Sequence, residues 1–239
     1  MAQVSLLRLI QAGREGDRLL SFPTDTVPAL ACRPSVAAMI YSAKQRSQTK
    51  PLILMGGHED DLWTYVQRDH PAFPIWQQMA FWYWPGALTL VLPASDRLPS
   101  AMNPTNSSTI GIRVPNCAIA RHILNQTGPL ATTSINRSGQ PPLETIEAIN
   151  QEFPEVLTLS PSELEKWQSS EPVNIMQLMQ SSTEASSPPR TQAQNPDAQP
   201  KTGTPSTVVQ WTDNGWKTLR QGGIKISPDH GSQDGTAKD

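Results

Sequence analysis

Cysteine is nearly missing from this chain. Among 239 residues only Cys32 and Cys117 occur, neither in a C-x-x-C pair nor near a histidine cluster. That argues against a disulfide framework or a structural zinc site, and makes both thiols small core residues of a reduced, cytoplasmic protein. Long apolar runs are missing too: Arg8 and Arg14 interrupt the N-terminus, and no stretch approaches the roughly 18 apolar residues of a membrane span. Charge is sparse, with 17% of residues charged and a formal net charge of -2. A chain of that balance has no global electrostatic reason to hold nucleic acid tightly, which leaves only a local basic patch for such a contact. Proline, in contrast, is plentiful at 23 residues. The length suits one domain with a substantial core plus appendages.

Along the chain, helices and short strands alternate. Ser5 caps a first helix whose Leu6, Leu7, Leu9 and Ile10 form an apolar stripe, with Gly13 and Gly16 as stops. Arg18 to Phe22 reads as a strand that runs into the polar turn Pro23-Thr24-Asp25-Thr26-Val27. Ser35 is placed to cap a second helix, in which Val36, Met39, Ile40 and Ala43 recur at helical spacing and Lys44 and Arg46 fall in the last turn. Cations there complement the helix dipole, so taken alone they describe a charged helix end. Pro51 to Met55 and Ala87 to Leu92 read as strands, and Pro71 to Trp84 as an aromatic-rich helix that packs rather than stacks on bases. Ser95 to Ser108 is a flexible polar loop.

Two later stretches carry chemistry. In Thr109-Ile110-Gly111-Ile112-Arg113-Val114, a period of two sets the isoleucines and valine on one face and Thr109, Gly111 and Arg113 on the other. An arginine beside a glycine on a non-core face suggests a ligand surface, and an exposed strand arginine gives the same pattern. Asn116 is placed to cap the next helix, with Gly128 as its stop. From Thr132 to Gly139 there follow four hydroxyls, an amide and a glycine, Thr132 and Ser134 sharing a strand face. Such a turn is either an anion cradle or a well-bonded surface turn.

The rest sets the domain limits. A helix over Thr145 to Phe153 and a strand over Glu155 to Leu159 complete the contiguous core, and a modest helical candidate spans Val173 to Met179. The core thus occupies 1–180, a low-complexity linker or insertion 181–204, a hairpin returning to the main sheet 205–226, and a disordered polar tail 227–239. The hairpin signal is Thr207 to Trp211, Asp213-Asn214-Gly215, then Trp216 to Leu219.

Together these stretches resemble the YrdC-like threonylcarbamoyl-adenylate synthases of the short, single-domain type. The resemblance rests on Pro-Thr-Asp-Thr-Val at 23–27, Lys44-x-Arg46 with Pro51-Leu52, and Trp84-Pro85-Gly86-Ala87-Leu88-Thr89. Thr109 to Pro115, Thr133 to Gly139, and Pro205-Ser206-Thr207-Val208 with Arg220 complete it, in order and over nearly the whole core. It implies a single three-layer α/β domain with a twisted mixed sheet around a concave site. The implied reaction is that of a nucleotidyltransferase, joining L-threonine, bicarbonate and ATP, with magnesium on the nucleotide, into threonylcarbamoyl-AMP and pyrophosphate. A tRNA threonylcarbamoyl transferase complex would then carry the group to tRNA, and the enzyme itself would touch tRNA weakly at most.

By the same resemblance Lys44, Arg46, Lys50, Thr109, Ser134 and Arg220 hold ATP, with the backbone near Pro142 closing over it. Thr24, Arg113, Thr132 and Ser206 hold threonine, and Asn136 and Ser138 shape the turn. No protein nucleophile and no metal-ligating residue is implied; catalysis is positioning and electrostatics, with Lys44 and Arg46 weighing most. The chain departs from the family pattern at Pro28-Ala29, where Tyr-Gly is usual, at Ser47 for proline, Met55 for histidine and Ile135 for alanine. The competing readings are a non-catalytic RNA- or nucleotide-binding relative and a carbamoyltransferase on the same fold.

Overall fold

The computed structural model describes residues 2–106, 108–169 and 203–226. Its first helix, α1 (Leu6–Glu15), begins where Ser5 accepts a hydrogen bond from the Arg8 amide at 3.3 Å. It ends at Gly16, whose φ of 77° only glycine takes readily. Gly13 does not stop the helix as expected. It lies buried within it, and a β-carbon there would meet Thr127 at 2.7 Å, so the residue serves close helix packing instead.

Among the described residues the strands form one mixed ten-stranded sheet. These are β1 (Gln3–Val4), β2 (Leu20–Phe22), β3 (Ala29–Cys32), β4 (Ile53–Met55), β5 (Leu88–Pro93), β6 (Thr109–Arg113), β7 (Leu130–Ser134), β8 (Leu157–Leu159), β9 (Thr207–Thr212) and β10 (Gly215–Arg220). Their order is β1-β8-β2-β3-β7-β4-β6-β5-β9-β10. The hairpin β9–β10 does return to the main sheet, β9 running parallel to β5 with Leu88 beside Thr207 and Leu90 beside Val209.

Period-two alternation gives the sheet two faces. On one, Leu30, Leu54, Leu90, Ile110, Ile112, Ala131 and Val209 pack into the larger core with Ile40 of α2 (Ala38–Lys44), Trp76, Met79 and Tyr83 of α4 (Phe73–Tyr83), and Ile149 of α6 (Ile146–Glu152). On the other, Leu20, Phe22, Ala29, Ala31 and Leu130 meet Leu9 and Ile10 of α1 and Ile119, Ile123 and Leu124 of α5 (Ala118–Thr127). The domain is therefore the three-layer α/β arrangement expected, and its aromatic helix is core. Both cysteines are free, and burial pushes the Cys32 thiol up to about 12.

Several local expectations are corrected. Strand β3 was not anticipated: it is buried on both faces, so no polar residue marks its period. Ser35 lies within a short 3-10 turn, Pro34–Val36, and α2 starts after it with Ala37 at a cap position without a side-chain bond. Asn116 does not cap α5 either, because Cys117 occupies that position. The short helices α3 (Glu59–Trp63) and α7 (Pro161–Ser169) and the two-residue β1 were also unforeseen. The Val173 to Met179 candidate, the stretch 181–202 and the tail 227–239 lie outside the described residues.

Candidate functional site

The core beneath helices α1 and α5 reaches across β7 to Met55 at the end of β4. Past it, residues of β4, β6, β5 and β9 line a cavity of about 580 Å³. Strand register sets its floor. Ile53 stands beside Gly111 and Thr132, Met55 beside Arg113, Val91 beside Gly111, and Thr89 beside Val208. Gly111 leaves the middle of the floor low: a β-carbon there would reach Thr89 at 3.4 Å and Ile53 at 3.5 Å without a clash. The glycine is thus needed for space rather than for backbone freedom.

Arg113 ends β6 at one side of the cavity. Burial lowers its pKa from the ordinary arginine value, and the charge of Asp25 counters that. Its Nε donates to the Gly86 carbonyl at 3.0 Å, one terminal nitrogen to Thr26 Oγ1 at 3.0 Å and the other to Asp25 Oδ1 at 2.6 Å. By count, one N–H on each terminal nitrogen stays uncommitted. Thr24 and Thr132 spend their hydroxyl protons on the carbonyls of Val27 and Ile53, at 2.7 and 3.0 Å. Thr132 therefore meets a ligand with acceptor lone pairs, and Arg113 with donors. That combination suits an amino acid, whose carboxylate accepts and whose amine and hydroxyl donate.

Arg46, Lys50, Thr109 and Ser134 line the cavity as well, and so does Arg220, which the strand register and its charge acting on Arg113 put near the Arg113 end. Arg46 is tied to the chain that follows it, donating from Nε to the Lys50 carbonyl and from a terminal nitrogen to the Pro51 carbonyl, both at 3.2 Å. Arg220 donates to the Ser206 carbonyl at 2.9 and 3.1 Å and to its hydroxyl at 3.2 Å. That hydroxyl lies 3.0 Å from Thr89 Oγ1. Burial lowers the pKa of Arg46 and of Arg220. Arg46, Lys50, Arg113 and Arg220 are the charged groups among the described lining residues. An anion entering here offsets a desolvation cost already incurred.

Four expected residues lie elsewhere. Lys44 ends α2, and Gln45 then takes a left-handed φ of 49°, which turns Arg46 out of the helical path and into the cavity wall. The Lys44 side chain stays buried, donating to the Ser134 carbonyl and, at 2.9 Å, to Asn136 Oδ1. Expected to join the ATP site, it instead stands behind the lining, because the helix end faces the turn that follows β7. Asn136 lies within that turn, accepting from Ser134 Oγ at 2.7 Å and donating to the Arg137 carbonyl at 2.9 Å. Ser138 is exposed and Pro142 half-buried, both outside the lining.

Thr26, Thr89, Asn103, Asn106, Gln210 and Leu219 also line the cavity without having been singled out. The alternation of Leu88, Leu90 and Leu92 was signal enough to find Thr89. Nothing local marks Asn103, which is buried where a flexible loop was expected. Of the departures, Ala29 and Met55 line the cavity, whereas Ser47 is exposed and bonded to Thr49 Oγ1 at 2.7 Å.

Residues 13–183 match the Sua5/YciO/YrdC family, described as telomere recombination. The chain is 32% identical over 152 residues to threonylcarbamoyl-AMP synthase of Rattus norvegicus, a match covering 62% of this chain and 52% of the relative. It is 30% identical over 155 residues to the synthase of Yersinia enterocolitica, covering 63% and 80%. Among solved structures, P. abyssi Sua5 complexed with L-threonine aligns at a TM-score of 0.67 and 24% identity over 92% of this chain and 56% of that one. E. coli YciO aligns at 0.65 and 20% identity over 93% and 91%. The chain thus spans about half the length of the rat and P. abyssi proteins, and at these identities the two structures speak to the fold.

Proposed function

The chain belongs to the Sua5/YciO/YrdC family, and from that premise we propose that it is an L-threonylcarbamoyladenylate synthase, forming threonylcarbamoyl-AMP and pyrophosphate from L-threonine, bicarbonate and ATP. One observation carries the reading: a single cavity holds Arg113, Thr132 and Arg220 together with Arg46, Lys50 and Ser134. Two differently charged substrates can then meet over the Gly111 floor.

In this scheme the threonine carboxylate takes the uncommitted N–H groups of Arg113, and Thr132 accepts from the amine or hydroxyl. The ammonium gives up a proton, and the neutral amine then joins the carbon of bicarbonate with loss of water, giving a carbamate. A carbamate oxygen then bonds to the α-phosphorus while the bond to the β-phosphate oxygen breaks and pyrophosphate leaves. The protein supplies alignment and positive charge, Arg46, Lys50 and Arg220 facing the phosphates, while Ser134, its proton given to Asn136, has only acceptor lone pairs to offer. Lys44, Asn136, Ser138 and Pro142 belong in this scheme to the support of that wall.

Magnesium enters the proposal with ATP, where it neutralises phosphate charge. Among the described residues no group of three His, Cys, Asp or Glu side chains is placed to hold a metal. The neutral oxygens of Thr109, Ser134, Asn103 and Asn106 suit an ion carried chiefly by phosphates. Transfer to tRNA by a partner transferase, weak contact with tRNA and a cytoplasmic location complete the proposal. Among the described residues no helix is long and apolar enough to cross a membrane.

The test is release of pyrophosphate by purified protein given ATP, L-threonine and bicarbonate. Release that needs all three is the expected result. Release indifferent to threonine, or AMP binding without any turnover, would instead favour a nucleotide-binding relative.

A further inference from the structure

The grip on a carboxylate depends on how Arg113 itself is held, and the holding groups come from the turn between β2 and β3. The Arg113 and Asp25 side chains are 4% and 7% exposed, in contact at 2.6 Å. The other terminal nitrogen of Arg113 donates to Thr26 Oγ1, which lies 3.1 Å from Thr24 Oγ1. Thr24 gives its own proton to the Val27 carbonyl, so the proton between the two hydroxyls belongs to Thr26. A directed chain results, from Arg113 to Thr26 to Thr24 to the backbone, and it fixes one end of the guanidinium. Asp25 fixes the other.

A buried ion pair is a weak device for stability, since desolvation consumes most of its Coulomb gain. Asp25 is costlier still, because its Oδ2 is buried without a hydrogen-bond partner in the described structure. A pair selected for stability would satisfy both oxygens or be replaced by apolar groups. What this one achieves is to keep a charged, directionally fixed guanidinium at the wall of a ligand cavity.

We infer that Asp25 and Thr26 are positioning residues, which clamp Arg113 so that its two uncommitted N–H groups meet the substrate carboxylate as a fork. This rests on the synthase reading. It goes beyond it in assigning the selectivity for a free carboxylate to two residues that act through Arg113. The fork is used alike in the ground and transition states, so loosening it raises KM and leaves kcat nearly untouched.

The test uses full-length Asp25→Asn, Thr26→Val and Thr26→Ser. Pyrophosphate release gives KM and kcat, calorimetry gives binding of L-threonine, L-threoninamide and AMP, and a melting curve reports the fold. Asp25→Asn should raise the threonine KM by about tenfold or more and shrink the preference for threonine over its amide by a similar factor, with kcat and AMP binding held. Thr26→Val should move the same quantities less, and Thr26→Ser should restore them. If Asp25→Asn does not fold, the two Thr26 variants decide alone. An unchanged preference for the carboxylate in well-folded variants overturns the inference, as does a parallel loss of threonine and AMP binding that follows the fall in melting temperature. Should the wild type bind threonine but release no pyrophosphate, the synthase reading fails while the calorimetry still tests the clamp.

Discussion

One face of one sheet is core over half its width and a cavity over the other half, and β7 passes from the first state to the second within five residues. Leu130 is fully buried under α5, while Thr132 and Ser134, on the same face of the same strand, line the cavity. Beyond β7 that side lines the cavity, and there alternation brings up Gly111, Thr89, Thr109 and Arg113 among Ile53, Val91 and Val208. The same backbone pattern therefore yields packing or binding according to which residues occupy the alternate positions. The fold supplies the period; the side chains decide its use.

The largest effect belongs to the covered half. Leu130→Ala removes a wholly buried side chain from between α5 and β4, and should cost about 2–5 kcal/mol of stability in a denaturant titration. The KM values of the proposed reaction, measured on protein that remains folded, should stay within about twofold. A large change in KM would mean that the two halves are not separate.

Gly111→Ala probes the open half and should be smaller. The added methyl would sit in ordinary contact with Thr89, Ile53 and Val91 at 3.4–3.8 Å, so the melting temperature should barely move. It rises, however, from the floor on which the two substrates of the proposed reaction would meet. We expect kcat/KM to fall about tenfold, equivalent to about 1.4 kcal/mol of transition-state stabilisation. Wild-type kinetics would place the substrates away from the floor.

The same contrast decides what could be read from the sequence. The open half was legible at β6, because Ile110, Ile112 and Val114 alternate with polar partners, and the faces fall as expected. Strand β3 was not, because Ala29 to Cys32 are buried on both sides and periodicity is silent there. The cations of the site were found by type, but only the fold separates Lys44 from Arg46. The left-handed turn at Gln45 sends one inward and the other to the cavity, and no residue spacing signals it. Asp25 was visible inside its motif, yet its link to Arg113 spans 88 positions and appears only when the turn folds over β6. The Pro28-Ala29 departure proves compatible with the ladder: the Pro28 carbonyl accepts from the Ile135 amide at 3.0 Å, and Ala29 pairs with Ser134.

Lys44 gives the sharpest sign. Its ammonium is 1% exposed behind the cavity wall, facing the Ser134 carbonyl and Asn136, with Arg46 as the nearby charge. Burial first, and Arg46 second, bring its pKa from 10.5 down to about 7. In the unfolded chain the lysine keeps its proton to about pH 10.4. Below about pH 7 both forms are charged, and the group contributes no slope. From there up to about pH 10 the unfolded chain binds the extra proton, so stability rises with pH by linkage. Lys44→Met keeps the length of the side chain and removes the titration. The melting temperature of wild type relative to this variant should therefore climb as pH is raised from about 7 to 9 and stay level from about 6 to 7. A difference that does not change with pH would mean the ammonium is solvated in the folded protein, which would move Lys44 from the supporting side of the wall into the cavity itself.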